Sequence, residues 1–448
     1  MRTLTRFLLL AAIMALAAAC EKEESFTMEG IRANESKISA QEIVIYPGEN
    51  DTEALLNAFN NALPGSVIRL VEGVYQISMI EVNNFSGAFV GAGKGRTIIT
   101  AHRSMCAAGT GSKGLNNDLI RFVGGKIFIS NMTLQAPSWS ISSIVKEPIG
   151  SMLGFYNLGF QGASSKNQMN VSVQNVEFIG KQLNEGYVFT TAVRTLPDYL
   201  PPLGLLEHAH LNISISKCSF RNFYIGADIS LISQGRINLG ALLAGNHFTD
   251  CAIPAMLLDN LGTEINIIHN TFNIKETGFG VKLDNTPLSC AQWQPQTTNT
   301  VCNIERNVFN MDAGKLGIFI HDHRRFEFPK EHMPMQVGVR HNQFNMGPST
   351  QAGIISEDQN GLIIRNNRFT GKANLGVSIN CEHETIFNEC GSMSGNDFCQ
   401  GNFSTAAIYL GKRARDWTVT TLTLGDCVMN EGINCSIICQ GNLPSLKP

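Results

Sequence analysis

Polar and apolar positions alternate along this chain in short runs, and from Glu264 to Phe398 one run keeps returning. It reads Ile267-Ile268-His269-Asn270-Thr271-Phe272, then Ile304-Glu305-Arg306-Asn307-Val308-Phe309 and Val339-Arg340-His341-Asn342-Gln343-Phe344. It returns as Ile364-Arg365-Asn366-Asn367-Arg368-Phe369 and Met393-Ser394-Gly395-Asn396-Asp397-Phe398. Each is a strand-like alternation that closes on an Asn with a Phe two residues later, so the Asn holds one fixed place in a repeating unit. A second strand follows each Phe, announced by Gly or Ala: Gly280-Val281-Lys282-Leu283, Gly317-Ile318-Phe319-Ile320, Gly353-Ile354-Ile355, Gly376-Val377-Ser378-Ile379 and Ala407-Ile408-Tyr409-Leu410.

The period sets the architecture. Phe248 and Phe272 are 24 residues apart and Phe344 and Phe369 are 25 apart. The 37 residues from Phe272 to Phe309 fall to 24 once the 13 from Cys290 to Cys302 are read as an insertion. Such a period is too short for a propeller blade, and the helix-turn-helix pattern of the α-solenoids is missing. It predicts parallel coils stacked one strand spacing apart, ~4.8 Å, with apolar side chains inside. The repeated Asn then forms a structural ladder at a bend, its amide bonding turn backbone groups and the next Asn. Upstream the spacing is looser: Asn131, Asn175 and Lys217 stand three before Leu134, Phe178 and Phe220, and the tighter phrase begins with Asn246 and Phe248.

The start of the folded part adds a fold family. Ile43-Val44-Ile45-Tyr46 reads as a strand, and Asn50 or Asp51 can cap a helix with Leu55, Phe59 and Ala62 on one face that Pro64-Gly65 stops. Val67-Ile68-Arg69-Leu70, Gly73-Val74-Tyr75 and Val90-Gly91-Ala92-Gly93 then lead into Thr97-Ile98-Ile99. This order resembles the entry to a right-handed parallel β-helix of the pectate-lyase-like superfamily. The resemblance implies an all-β, single-stranded solenoid over residues 40–448, plugged by an N-terminal helix and closed by a C-terminal cap after Cys427. Gly91-x-Gly93-x-Gly95 lacks the Lys-Ser/Thr and the helix of a phosphate loop and is read as a turn. The likeness is one of architecture. The Asn-Thr-Asp, Asp-Asp, Gly-His-Gly and Arg-Ile-Lys signatures of polygalacturonase-like enzymes are absent. Ile320-His321-Asp322-His323 echoes the Ile-Asp-His of pectate lyases without their Arg-x-Pro-x-x-Arg.

Residues 1–19 are set apart as a targeting segment: Arg2 and Arg6, an apolar run from Phe7, and Ala17-Ala18-Ala19 before Cys20. This resembles a bacterial lipoprotein signal in which Cys20 becomes the lipidated first residue; an ordinary secretory signal is the alternative. Glu21-Lys22-Glu23-Glu24 is similar to an acidic surface-export tag, and residues 20–39 form a polar tether. The expected location is the cell envelope, as an outer-membrane lipoprotein facing outward, with the membrane reached through an N-terminal lipid anchor.

Composition narrows the partners. Across 448 residues the net charge is −3, so there is no electrostatic case for nucleic acid. Setting Cys20 aside leaves eleven of the twelve cysteines, and export permits disulfides; Cys290–Cys302 and Cys381–Cys390 would each close a loop. No Cys-x-x-Cys pair is present, so neither structural zinc nor thioredoxin-like redox chemistry is expected. No metal or other cofactor is expected, and no calcium motif is found.

Candidate chemistry collects immediately after the second strand of successive coils: Asp259, Asp284, His321-Asp322-His323, Glu357-Asp358 and Glu382-His383-Glu384, with Arg413 further on. In register, these form a charged corner track whose carboxylates stand roughly 5 Å apart in neighbouring coils and roughly 9.6 Å apart two coils away. Such distances bracket those of retaining and inverting glycosidases. Nearby bases could instead abstract a proton beside a uronate, as in a polysaccharide lyase. Asp284, Asp322, His323 and Glu357 are the catalytic candidates. Trp293, His321, Arg324, Arg325, Asp358, Glu382, His383 and Arg413 are the substrate-binding candidates. The sequence supports a cell-envelope protein that binds or cleaves polysaccharide, or a non-catalytic adhesin or surface scaffold on the same solenoid.

Overall fold

Backbone amides that point along the axis of a stacked coil find partners only in the next coil, and this chain is built on that rule. In the computed structural model, 32 strands join in one continuous sheet whose pairings are parallel. The structure describes residues 41–102, 118–137, 149–156, 168–183, 186–187, 189–195, 210–232, 240–261, 263–274, 278–285, 299–311, 315–323, 333–381, 387–421 and 428–439. The signal and tether, the Trp293 insertion and the Glu382-His383 loop lie outside them. Residues from Ala40 onward group as one unit.

A coil has three strands rather than the two read from the sequence. Glu264–Ile268 forms the first face, Thr271–Ile274 the second and Phe279–Asp284 the third. They pair with Val301–Glu305, Val308–Met311 and Leu316–His321 of the following coil. The Asn-x-Phe phrase therefore spans a corner. The chain turns at His269, with φ 56°, and Asn270 points inward, almost fully buried. This is a parallel β-helix.

The ladder at that corner runs through Asn246, Asn270, Asn307, Asn342, Asn367 and Asn396, all buried. Asn307 shows the pattern. Its backbone N–H donates to Asn342 Oδ1 at 2.9 Å, and its side-chain amide donates to Asn342 Oδ1 at 3.0 Å and to the Ile267 carbonyl at 2.8 Å. In the early coils the expectation shifts by one residue. Asn131 and Asn175 occupy the positive-φ turn just before the ladder position, which Met132, Val176 and then Cys218 fill. An apolar side chain in the ladder position leaves the turn residue as the polar one, hence the looser spacing.

Behind the ladder, Phe178, Phe220, Phe248, Phe272, Phe309, Phe344, Phe369 and Phe398 stack ring on ring, with centroids 4.6 to 5.1 Å apart. The Gly that opens each third strand makes room for them. A Cβ on Gly317 would stand 2.5 Å from the Gly353 carbonyl and 2.9 Å from the Phe344 ring.

The ends are closed differently. Helix α1 (Asp51–Asn61) caps the first coil with Leu55, Ala58 and Phe59, the Phe59 ring meeting Phe85, Phe89 and Phe122 edge-on at 5.1 to 5.7 Å. The Asn50 side chain makes no cap hydrogen bond; buried Asp51 instead accepts from the Gly48 and Gln76 amides. At the other end Trp417 fills the core, donating to the Asn388 carbonyl at 2.9 Å. The chain then adds two further strands, Val428–Asn430 and Ser436–Cys439, stacked on the preceding coil.

The disulfide expectations are corrected. Cys302 is a fully buried thiol inside the coil, its pKa pushed up to about 12 by burial, and is not bonded to Cys290. The Cys381–Cys390 bridge is not formed, because Cys381 is buried at a strand end while Cys390 sits exposed in a positive-φ turn.

Replacing Asn307 by Ala strands a buried carbonyl and two amide hydrogens, and should lower stability by about 2–4 kcal/mol. Asn303→Ala, which removes an outer-surface amide, should cost about 1 kcal/mol or less. Urea unfolding of the two variants checks this, and equal midpoint shifts would contradict the ladder's role.

Candidate functional site

Period two along a strand decides which side chains leave the core. On the third face Leu283, Ile320, Ser356 and Ile379 align in successive coils and point inward. The next residues, Asp284, His321, Glu357 and Asn380, align as an outward column. Two residues earlier along each strand, Lys282, Phe319 and Ile355 form a second outward column.

His321 is the centre of the arrangement. Its Nδ1 lies 3.2 Å from Asp284 Oδ1 and its Nε2 lies 3.4 Å from Asp358 Oδ2, so three successive coils each contribute one member. The second contact is an ion-pair distance whose geometry falls short of a hydrogen bond. The other Asp284 oxygen meets Lys282 Nζ at 3.0 Å. Asp284 and His321 side chains are each only 9% exposed, and that of Asp358 not at all. Burial alone would lower the imidazole pKa; the Asp284 and Asp358 carboxylates more than offset it and lift it to about 10. At neutral pH His321 is therefore an imidazolium, its Nδ1–H donating to Asp284 and its Nε2–H facing the Asp358 carboxylate, and it is not a general base.

The corner track is corrected in one respect. Asp322 does not align with Asp284 and Glu357; His321 occupies that position. Asp322 follows the strand end, where the chain bends inward, and is fully buried. It accepts from the Asn285 amide at 3.2 Å, while its backbone N–H reaches the Glu357 carbonyl at 3.4 Å. Asp358, one residue past its strand, sits at φ 57°, which returns its carboxylate toward His321. The His323 ring stands edge-on to His321 with centroids 5.4 Å apart. Glu357 is partly exposed. Among the described residues no group of three or more His, Cys, Asp or Glu is placed to hold a metal ion.

Arg413 lies apart from this cluster. Its guanidinium is 5.9 Å from the Phe387 ring, over which Arg415 stacks at 3.4 Å. Trp293, Arg324, Arg325, Glu382 and His383 lie outside the described residues. Lys282 was not among the sequence candidates, although its position two before Asp284 places both on one side of the strand. A second polar cluster on the same face was also missed. Buried Asp118 accepts from Ser151 Oγ and from Tyr156 OH, each at 2.6 Å, and from Arg121 Nε at 3.3 Å. Burial and the Asp118 charge raise the Tyr156 pKa. Nothing in the repeat pattern marks these residues, because they belong to the coils before the regular phrase begins.

No protein-family model matches the chain, and no curated protein matches it. Solved structures do. The chain is similar to the catalytic domain of a GH87 alpha-1,3-glucanase, an aspartate-to-alanine variant in complex with tetrasaccharides. Identity is 12%, coverage is 92% of this chain and 68% of that one, and the TM-score is 0.53. Another GH87 alpha-1,3-glucanase catalytic domain, in complex with nigerose, shares 11% identity over 87% of this chain and 69% of that one, with a TM-score of 0.51. PfbA, a surface adhesin of Streptococcus pneumoniae, shares 12% identity over 83% of this chain and 92% of that one, but its TM-score of 0.39 carries no weight. At these identities the likeness establishes the shared parallel β-helix and leaves the chemistry to the residues.

A histidine whose folded pKa of about 10 exceeds its ordinary 6.5 stabilises the fold fully below pH 6.5 and progressively less as pH rises through 10. Stability should therefore decline over that window, and His321→Gln should flatten the decline. NMR should show His321 still protonated at pH values where exposed histidines are neutral; titration near 6.5 would show that the two carboxylates do not hold it.

Proposed function

We propose that the protein binds and cleaves polysaccharide along its third face, with Asp284 and Glu357 as the acting carboxylates. The observation that carries this reading is the column Asp284, His321, Glu357. It places two outward carboxylates two coils apart, with an imidazolium between them in register. Two strand spacings amount to ~9.6 Å. That is at the upper edge of the separation that leaves room for a water in an inverting glycosidase, about 6.5–9.5 Å.

The roles follow from surroundings. Asp284 faces Lys282 and His321 and suits the base that orients water. Glu357, partly exposed and one coil beyond His321 in the same column, suits the acid that protonates the leaving oxygen. His321 and Asp358 position Asp284. Asp322 acts from the interior, bonding Asn285, and His323 stands at the edge of the cluster, where it can meet substrate. Phe319 and Ile355 in the adjoining outward column offer apolar surface to the C–H faces of a sugar. Lys282 and His321 are both engaged by Asp284.

Alpha-1,3-glucan is the first probe, chosen from the structural likeness, beside neutral and uronate glycans. Asp284→Asn and Glu357→Gln should each lower reducing-sugar release by about 10²-fold or more with the unfolding midpoint kept. An unsaturated uronate product would point to the lyase instead. If turnover is unchanged in both variants the reading fails; binding without turnover on any glycan leaves the adhesin or scaffold role.

The same proposal places the protein in the cell envelope through lipid on Cys20. Cys20→Ala should move it from the membrane to the soluble fraction and abolish incorporation of labelled palmitate. Retention of the variant in the membrane would argue against the anchor.

A further inference from the structure

The asparagine-ladder corner carries a feature that the fold does not require. The residue before each ladder position turns the chain with positive φ: 58° at Asn131, 54° at Asn175, 55° at Lys217, 56° at His269, 54° at Arg306, 56° at His341 and 55° at Asn366. Gly245 and Gly395 take the same turn at 63° and 65°. Left-handed backbone favours Gly and Asn, with His tolerated, and penalises ordinary side chains. Five of these nine positions are Gly or Asn, and His269 and His341 are tolerated there. Lys217 and Arg306 depart from the preference, and all four basic side chains are exposed.

Register makes them a row. Lys217 N–H donates to the Ala244 carbonyl at 3.0 Å, Gly245 to Ile268 at 3.0 Å, His269 to Glu305 at 3.1 Å, Arg306 to Arg340 at 3.1 Å and His341 to Arg365 at 3.0 Å. Each step is one strand spacing, so Lys217 to His341 covers roughly 19 Å along the axis. Lys217 and Arg306 are the fixed charges of the row, three steps apart, with the two imidazoles on either side of Arg306. Beside the row, Lys94 Nζ reaches the Lys217 carbonyl at 3.0 Å and exposed Arg365 adds another charge. Among the described residues neither Lys217, Arg306 nor Arg365 forms an ion pair, while neighbouring Arg340 is held by Glu305 at 2.9 Å. The chain as a whole is negative, at −3, so the row is a local concentration.

We infer that this corner is a docking seam for a linear polyanionic glycan, one carrying uronate or sulfate groups, that runs parallel to the solenoid axis. Backbone preference opposes Lys217 and Arg306, and a partner of opposite charge accounts for their presence in the turn. The seam is one residue wide and follows the axis, a shape that fits a chain-like polyanion better than the plane of an anionic membrane. It lies on a different corner from Asp284 and Glu357 and stands independently of the cleavage reading.

The test uses the full chain and replaces Lys217, His269, Arg306 and His341 together by Asn, the residue that Asn366 shows to be at home in this turn. Retention on heparin and on polygalacturonate is measured against salt, with dextran as the neutral control and phosphatidylglycerol vesicles as the membrane control. The native chain should bind both polyanions and not dextran, with binding weakened by salt. The Asn variant should bind at least ten-fold more weakly with an equal or higher unfolding midpoint. Arg306→Glu alone should weaken binding more than Arg306→Asn, and Lys372→Asn, an exposed basic position outside the row, should bind like the native chain. Equal binding by the Asn variant, binding to vesicles but not to soluble polyanion, or an equal loss of binding in Lys372→Asn would each overturn the seam.

Discussion

A buried asparagine amide that bonds upward, downward and across its own corner is the interaction on which the rest of this molecule depends. Asn307 accepts from the Asn270 backbone amide at 2.8 Å and from its side-chain amide at 3.0 Å, and passes the same pair of bonds to Asn342. A coil displaced by one residue would break both bonds and bring buried polar groups out of contact, so the ladder fixes register as well as height. Everything further from the corner inherits that register. The Phe rings stack because each stands two residues beyond a ladder position, and the outward column of the third face aligns because its strands are counted from the same point.

The repeat was legible in the sequence for this reason: a residue whose role recurs in every coil must recur in the chain. Asn270, Asn307 and Asn342 could be picked out, and so could Phe272, Phe309 and Phe344, without knowing the direction of any side chain. The site was legible only to within a residue. Asp284, His321, Asp322 and Glu357 were recognised as one group, yet which of His321 and Asp322 faces outward depends on where the strand ends, and a strand end carries no periodic mark. The same uncertainty of one residue separates Asn175, in the turn, from Val176, in the ladder. Lys282 and Asp118 were missed because neither breaks a pattern: one is an outward strand residue like any other, and the other precedes the regular coils. Cys302 was misassigned by its distance from Cys290 in the chain, whereas its alternation with Val301 and Asn303 already directed it inward.

At the third face the decisive quantity is the charge of one imidazole. A neutral His321 would have offered a base to a lyase; clamped by Asp284 and Asp358 it is a fixed cation, and the proton-transfer roles pass to the carboxylates. The imidazolium also offsets the cost of burying the Asp284 charge, whose side chain is only 9% exposed.

A solenoid of this kind separates two kinds of position. Inward residues answer to the neighbouring coil and have little freedom, as the unbroken run of buried Phe shows. Outward and turn residues answer to solvent, so a departure there from backbone preference has to be explained by what the side chain meets. Lys217 and Arg306 depart from it in the left-handed turn, and Asp358 sits in the same conformation but points its carboxylate back to His321. The Asp358 turn has its explanation inside the protein. The basic turns have no partner among the described residues, and the same reasoning that makes Asp358 part of a site directs Lys217 and Arg306 toward a ligand of opposite charge.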